Sequence, residues 1–268
     1  MSGAEDDIRE SADTLVRPGE RVDDLMRGGY RIIQDPGRFC FGMDAVLLSA
    51  FAKTRPGDKV LDLGCGNGII PLLMHARNKR TDITGLEISQ GSADLARRSV
   101  RLNGVQDHIH IVTGDVRNAA EVFPAASFDI VTSNPPYMTA GEGLLNPDPE
   151  IAAARHELRA DLGDFIAAAK HVLKNGGSFY LVHRPFRLTQ IISLLHGAGL
   201  EPKTMRLVYP YTDREPNLVL ISCIKGGGAY LRVQPPLIVY DAPGKYTREV
   251  LEMYGRDTLS GGDAHRES

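Results

Sequence analysis

Three cysteines in 268 residues, Cys40, Cys65 and Cys223, are too few and too scattered for a disulfide framework. They form no C-x-x-C pair, which argues against a zinc site and fits a reducing compartment, so the expected location is cytoplasmic. The chain also lacks any apolar run near the roughly 20 residues that a bilayer-spanning helix needs. Its first residues, Met1 to Asp13, are acidic and polar, whereas a secretory signal has a basic end and an apolar core. An excess of positive charge is missing too: 31 Lys and Arg stand against 34 Asp and Glu, a net of -3. That sum hides an uneven spread. Glu5, Asp6, Asp7, Glu10 and Asp13 against Arg9 give the first 13 residues a net of -4, so the remainder carries +1. Residues 151–254 hold thirteen Lys and Arg against nine Asp and Glu, a net of +4. This mildly basic second half permits an RNA footprint without demanding one.

What is present is ordinary for a globular protein, 42% hydrophobic and 24% charged residues. The length suits one large α/β domain with short additions. The organisation expected is a disordered acidic leader over 1–20, a single domain over 21–254 and a disordered tail over 255–268. Within the domain, 21–57 reads as an N-terminal hairpin and helix and 58–254 as the core; the hairpin is sought in the segment Tyr30 to Phe51, with the helix over Asp44 to Phe51. In the core, short apolar runs alternate with helical patterns. Strands are predicted at Lys59 to Leu63, Asp82 to Ile88, Ile109 to Val112, Phe128 to Thr132 and Phe179 to Val182. The intervening helices are Ile69 to Lys79, Ser89 to Leu102 with Ser89 as cap, Asp161 to Leu173 ending in Asn175-Gly176-Gly177, and Leu188 to His196. Such alternation implies a mostly parallel, doubly wound sheet. Two late strands, Met205 to Tyr209 and Leu218 to Ile224, have only a polar turn between them and predict an antiparallel hairpin at one edge.

Asp62-Leu-Gly64-Cys65-Gly66-Asn-Gly68 sits where the first core strand gives way to a helix. Glycines there let a loop adopt positive φ and let its backbone approach a ligand beyond the carboxyl ends of the strands. A dinucleotide loop reads G-x-G-x-x-G; this one reads G-x-G-x-G after an acid and resembles the first motif of Rossmann-like methyltransferases. Glu87 ends the second strand, where a carboxylate can accept from ribose hydroxyls, with Ile88 beside it. Asp115, followed by Val116, ends the third and can accept from an adenine amino group. An NAD site stays possible on the loop alone, but nothing later supports hydride chemistry, and the cofactor expected is S-adenosylmethionine. No metal is expected: His108 and His110 share a strand face without partners at ligand spacing. Cys65 reads as a small filler.

Asn134-Pro135-Pro136-Tyr137 follows the fourth strand and faces the same rim. Two prolines stiffen the turn and remove two N–H donors, leaving the Asn134 side-chain oxygen and the Pro135 carbonyl as acceptors. A planar amine has a delocalised lone pair. Two acceptors holding its N–H bonds pull it toward tetrahedral geometry, and an aromatic ring can stack on the group that carries it. The constellation resembles the amino-methyltransferases with an N/D-P-P-Y motif, which act on adenine N6, cytosine N4, guanine N2 or protein glutamine.

The resemblance extends to the flanks. Phe39-Cys-Phe-Gly-Met-Asp44-Ala-Val-Leu-Leu48 looks like the N-terminal motif of bacterial methyltransferases that modify valine tRNA at adenine N6 next to the anticodon. Leu231 to Tyr240 and Tyr246 to Val250 are similar to that family's ending. The resemblance implies a Rossmann-like class I methyltransferase with a seven-stranded, mostly parallel sheet and an antiparallel C-terminal hairpin, acting on tRNA. It gives Asn134, Pro135, Pro136 and Tyr137 the catalytic roles. Asp62, Gly64, Cys65, Gly66, Gly68, Glu87, Ile88, Asp115, Val116 and Asn134 fall to the cofactor, and Asp44 near its methionine end.

Arg155, His156, Arg159, Arg184 and Arg214 are candidates for RNA contacts; the first three lie in a stretch, Tyr137 to Asp161, without clear pattern and expected to be a mobile loop over the site. Protein glutamine methyltransferases share N-P-P-Y but carry a larger helical domain ahead of the core, and here only 58 residues precede Lys59. A non-catalytic module that binds the cofactor and RNA is the third alternative, against which the intact Asn134 and Tyr137 speak.

Overall fold

The computed structural model describes residues 12–37, 42–137 and 160–256. Its centre is set by strict alternation along the strands. On β3 (Lys59–Leu63), Val60 packs with Ile83, Ile109 and Ile130 on one face of the sheet. Leu61 and Leu63 pack with Leu86, Val131 and Phe179 on the other. β4 (Asp82–Glu87) and β6 (Phe128–Ser133) flank β3, all parallel. β5 (Ile109–Thr113) extends one side and β7 (Leu173–His183) the other, again parallel. The chain therefore leaves β3 toward β4 and returns on its far side at β6, which opens a crevice at the carboxyl ends of β3 and β6.

The late hairpin is present and longer than its apolar runs suggest: β8 (Leu200–Tyr209) and β9 (Leu218–Lys225) pair antiparallel. β9 inserts between β8 and β7, antiparallel to both, so β8 again points the way β7 does. Two strands of two residues, β10 (Arg232–Val233) and β11 (Leu237–Ile238), add to β8 and widen the seven expected strands to nine. A small ribbon of β12 (Tyr240–Ala242) and β13 (Lys245–Tyr246) follows.

On the first face lie α1 (Met43–Phe51), α2 (Ile69–Arg77), α3 (Gln90–Leu102) and, late in the chain, α6 (Arg248–Tyr254). α4 (Leu162–Val172) and α5 (Leu188–Gly197) cover the second. Asp161 caps α4 with a reciprocal box to Asp164, and Thr247 caps α6. α4 stops at Val172, one residue before the expected Leu173, and β7 starts at Leu173, opposite Phe128, well ahead of the expected Phe179. Gly177 fits the irregular register there because a Cβ would meet the Asp129 and Lys174 carbonyl oxygens at 3.0 and 2.9 Å.

The N-terminal hairpin begins ahead of Tyr30: β1 (Arg21–Asp24) pairs with β2 (Arg31–Gln34). Nor does the leader extend to residue 20. A helical turn, Ala12–Leu15, puts Leu15 at 2% exposure, and Arg98 of α3 donates to the Leu15 carbonyl and to both Glu20 oxygens at 2.6–2.7 Å. A guanidinium only 8% exposed needs such partners, and that requirement docks the segment.

Candidate active site

Gly64, Gly66 and Gly68 all have positive φ, +73°, +55° and +85°, a path that side-chain-bearing residues rarely take. The loop is sewn to the end of β4. Gly64 and Cys65 donate backbone N–H to the Leu86 carbonyl at 2.8 and 3.0 Å. Glu87 accepts from the Gly66 N–H at 2.9 Å with one oxygen and from the Ser89 N–H at 2.8 Å with the other. Ser89 in turn caps α3 by accepting from the Ser92 N–H. One carboxylate thus braces both the glycine loop and the start of the next helix.

These elements enclose a cavity of about 580 Å³. Asp44, Gly64, Cys65, Gly66, Glu87, Ile88, Asp115, Val116, Asn134, Pro135, Pro136 and Tyr137, all named from the sequence as candidate site residues, line it together. Its wall is mostly apolar and includes Leu86, Ile70 and Phe165. Asn67, 7% exposed, also lines it, and its Nδ2 finds no partner among the described residues. A cavity with mostly apolar walls, a buried unpaired donor and carboxylates in its lining suits a ligand that joins a flat heterocycle and ribose to an amino acid. S-adenosylmethionine has that form.

Two expected cofactor residues lie elsewhere. Asp62 is fully buried beneath the loop: Thr132 donates to its Oδ1 at 2.6 Å, while Oδ2 has no partner among the described residues. Burial, with the Glu87 charge adding, pushes this carboxyl up to about 7. Gly68 is outside the cavity wall and turns the chain into α2, where a Cβ would stand 3.1 Å from the Ala96 Cβ. Asp115 lines the cavity, yet its oxygens also accept from the Arg117 backbone and guanidinium, which hold the carboxyl below its ordinary range.

Asn134 to Tyr137 leave the end of β6. The Tyr137 hydroxyl lies 2.6 Å from Asp44 Oδ2 and 2.7 Å from Asn134 Oδ1. Its single proton can serve one of them, and the carboxylate is the stronger acceptor. The Asn134 amide, turned end for end, then donates to the hydroxyl and leaves Oδ1 unengaged. Burial and the Asp44 charge push the Tyr137 hydroxyl up, so it stays protonated. The ring, expected to offer a face for stacking, is half-buried and lines the cavity, with neighbours already beside it. The Arg184 guanidinium carbon stands 4.9 Å from its centroid, the His183 ring centre is 5.2 Å away, and Arg187 Nη1 reaches the Tyr137 carbonyl at 3.4 Å.

Of the RNA candidates, Arg184 is therefore at the rim, and it also donates to the Asn217 carbonyl. Arg214, 70% exposed, sits in the turn between β8 and β9 with Asp213 at 4.0 Å. Arg155, His156 and Arg159 lie outside the described residues. The sequence reading missed Phe165, which meets Gly64 across the cavity, and His183, fully buried with its ring lowered to about 4 by burial and the nearby Arg187. Neither carries a motif. Asn67 and Ser89 had a signal, a polar residue inside the glycine loop and a cap after the strand-end acid. No group of three or more possible metal ligands occurs among the described residues, nor any helix long and apolar enough to cross a membrane.

A sheet switched at β3 and β6, a glycine loop braced by a strand-end acid and an N-P-P-Y turn on the same rim together define a Rossmann-like class I methyltransferase. The chain belongs to the methyltransferase small domain family, whose pattern matches residues 29–196. It is related to tRNA1(Val) (adenine(37)-N6)-methyltransferases. The Aeromonas salmonicida enzyme is 28% identical over 214 residues, 79% of this chain and 87% of that one. The Porphyromonas gingivalis enzyme is 29% identical over 222 residues, 79% and 86% of the two chains. Among solved structures, a protein from Agrobacterium tumefaciens described as a predicted O-methyltransferase superposes with a TM-score of 0.65 at 26% identity, covering 80% of this chain and 96% of that one. Geranyl diphosphate C-methyltransferase from Streptomyces coelicolor, solved with S-adenosyl-L-homocysteine, shares the fold at TM-score 0.51 and 16% identity, over 68% and 79% of the chains. This protein is an S-adenosylmethionine-dependent methyltransferase.

Proposed function

We propose that the methyl group goes to the exocyclic N6 of an adenine in tRNA, next to the anticodon of a valine tRNA. The observation that carries this reading is the Asp44–Tyr137–Asn134 chain of hydrogen bonds at the mouth of the cofactor cavity. It holds the asparagine by its far end, so that Asn134 Oδ1 and the Pro135 carbonyl accept the two N–H bonds of a planar amine. The curated relatives act on such an amine in tRNA, which favours adenine over protein glutamine.

S-adenosylmethionine supplies the electrophilic methyl and its own leaving group. This chain's residues bind and aim. The Gly64–Gly66 backbone and Asn67 take the amino-acid end, Glu87 the ribose hydroxyls through the lone pairs its two N–H bonds leave, and Asp115 with Val116 the adenine. Held in line, the reactants need no strong base, because the amine proton leaves after transfer. Arg184 and Tyr137 form one side of the entry for the target base, which has to leave its stack to reach the cavity.

The deciding experiment incubates the protein with labelled S-adenosylmethionine and either tRNA lacking the modification or a release-factor protein. Label in N6-methyladenine of tRNA is expected; label found on protein alone overturns the proposal. Asn134→Ala should lower methyl transfer by roughly 100-fold or more, the scale seen when one preorganised group at a reacting centre is removed. Cofactor affinity, read by calorimetry, should stay unchanged, and retained turnover removes Asn134 from its role.

A further inference from the structure

A phenyl ring stands in solvent beside the amine pocket. Phe186 is 73% exposed, although a residue of that kind is ordinarily covered. It sits in a one-turn 3-10 segment, Pro185–Arg187, entered through a proline that fixes its first φ. Both flanking arginines are committed to the catalytic turn: the Arg184 guanidinium lies over the Tyr137 ring and Arg187 bonds the Tyr137 carbonyl. Arg184 is pinned further by the Asn217 carbonyl, and Arg187 by Gln190 at 2.9 Å. The backbone carrying Phe186 is thus fixed, and its Cα is within about 7 Å of Arg184 by chain length alone.

We propose that Phe186 is a stacking platform for the nucleobase adjoining the methylated one, and so helps select an unpaired stretch of RNA. This rests on the tRNA reading above. Drawing a target base into the cavity leaves its neighbour without a stacking partner, and an exposed aromatic at the rim replaces that partner in a sequence-tolerant way. The charges around it fit a strand lying across the rim. Arg184 and Arg187 are positive at the base of the platform, while in the turn beyond, Asp213 and Glu215 outweigh Arg214. The attraction here therefore comes from the ring and Arg184 more than from a broad basic field. The same ring would also suit an apolar peptide side chain, but the partly exposed Arg184 guanidinium beside it suits a phosphodiester; Arg187 is buried and serves to fix the backbone.

Phe186 buries little and is not among the residues that line the cofactor cavity, so Phe186→Ala should fold and bind S-adenosylmethionine as the native protein does. With an anticodon stem-loop RNA as substrate, the expected result is a KM raised roughly tenfold or more at nearly constant kcat, the scale of one lost base stack. Phe186→Tyr should restore KM and Phe186→Leu should not, which separates stacking from filling. Removing the base next to the target adenine should raise KM for the native protein to that of Phe186→Ala and leave the variant unmoved. Equal KM for native and Phe186→Ala protein overturns the inference while leaving the tRNA reading intact. Native protein that methylates a polypeptide and no RNA overturns both.

Discussion

Asp62 opens a motif that a sequence reader assigns to the cofactor, yet its carboxyl group is sealed under the loop with one oxygen unpaired among the described residues. Its folded value of about 7 lies above the ordinary 3.8, so unfolding releases a proton between those values and native stability falls as pH rises from about 4 to about 7, then levels. The difference corresponds to about 4 kcal/mol as an upper bound. Asp62→Asn should therefore be more stable than the native protein in urea melts at pH 8, with the advantage narrowing below pH 5. Equal stability at both pH values would show that no buried charge is being carried. His183 works in the opposite sense. Its value near 4, below the ordinary 6.5, costs stability as pH falls through that window, because the unfolded ring takes the proton first.

At the scale of elements, the glycine loop, β4 and α3 behave as one unit through Glu87. Glu87→Gln presents an NH2 to one of two backbone donors, leaving either Gly66 or Ser89 without an acceptor. Cofactor Kd should rise about tenfold, equivalent to about 1.4 kcal/mol, measured by calorimetry. The melting temperature should fall roughly 2–4 °C for each kcal/mol lost. Unchanged affinity would leave Glu87 as a brace alone. The loop and its flanking strands were legible because each is local: a glycine spacing, an apolar run, a serine cap three residues from its donor. The start of β7 was not. α4 ends within one residue of the expected Leu173, but the strand expected from Phe179 already begins at Leu173, because Leu173 pairs with Phe128 across the sheet.

Across the whole molecule, the chain's first described segment is held by a buried charge on α3. Glu20→Ala leaves Arg98 with Asp94 and the Leu15 carbonyl only, and should cost about 3 kcal/mol in urea unfolding at pH 7. The Arg98 hydrogen bonds hold the Glu20 carboxyl below its usual range, so this contribution is present above the ordinary carboxylate value and is lost as pH falls through the lowered one. The gap between native protein and variant should accordingly close in acid. A variant as stable as the native protein at pH 7 would mean that the segment is not docked in solution.

The sequence by itself determined the strand–helix alternation of the α/β core, the rim at which the two motifs meet and the kind of chemistry they serve, because apolar period, glycine spacing and proline stiffness act over a few residues. Only the tertiary structure decided which side chains reach the cavity. Asp44 and Tyr137 are 93 residues apart and share a hydrogen bond, Asp62 is hidden while Glu87 carries the loop, and Arg184 lies over the Tyr137 ring. Each of those facts is set by how separate elements pack against one another, and burial and hydrogen-bond partners are assigned only when they do.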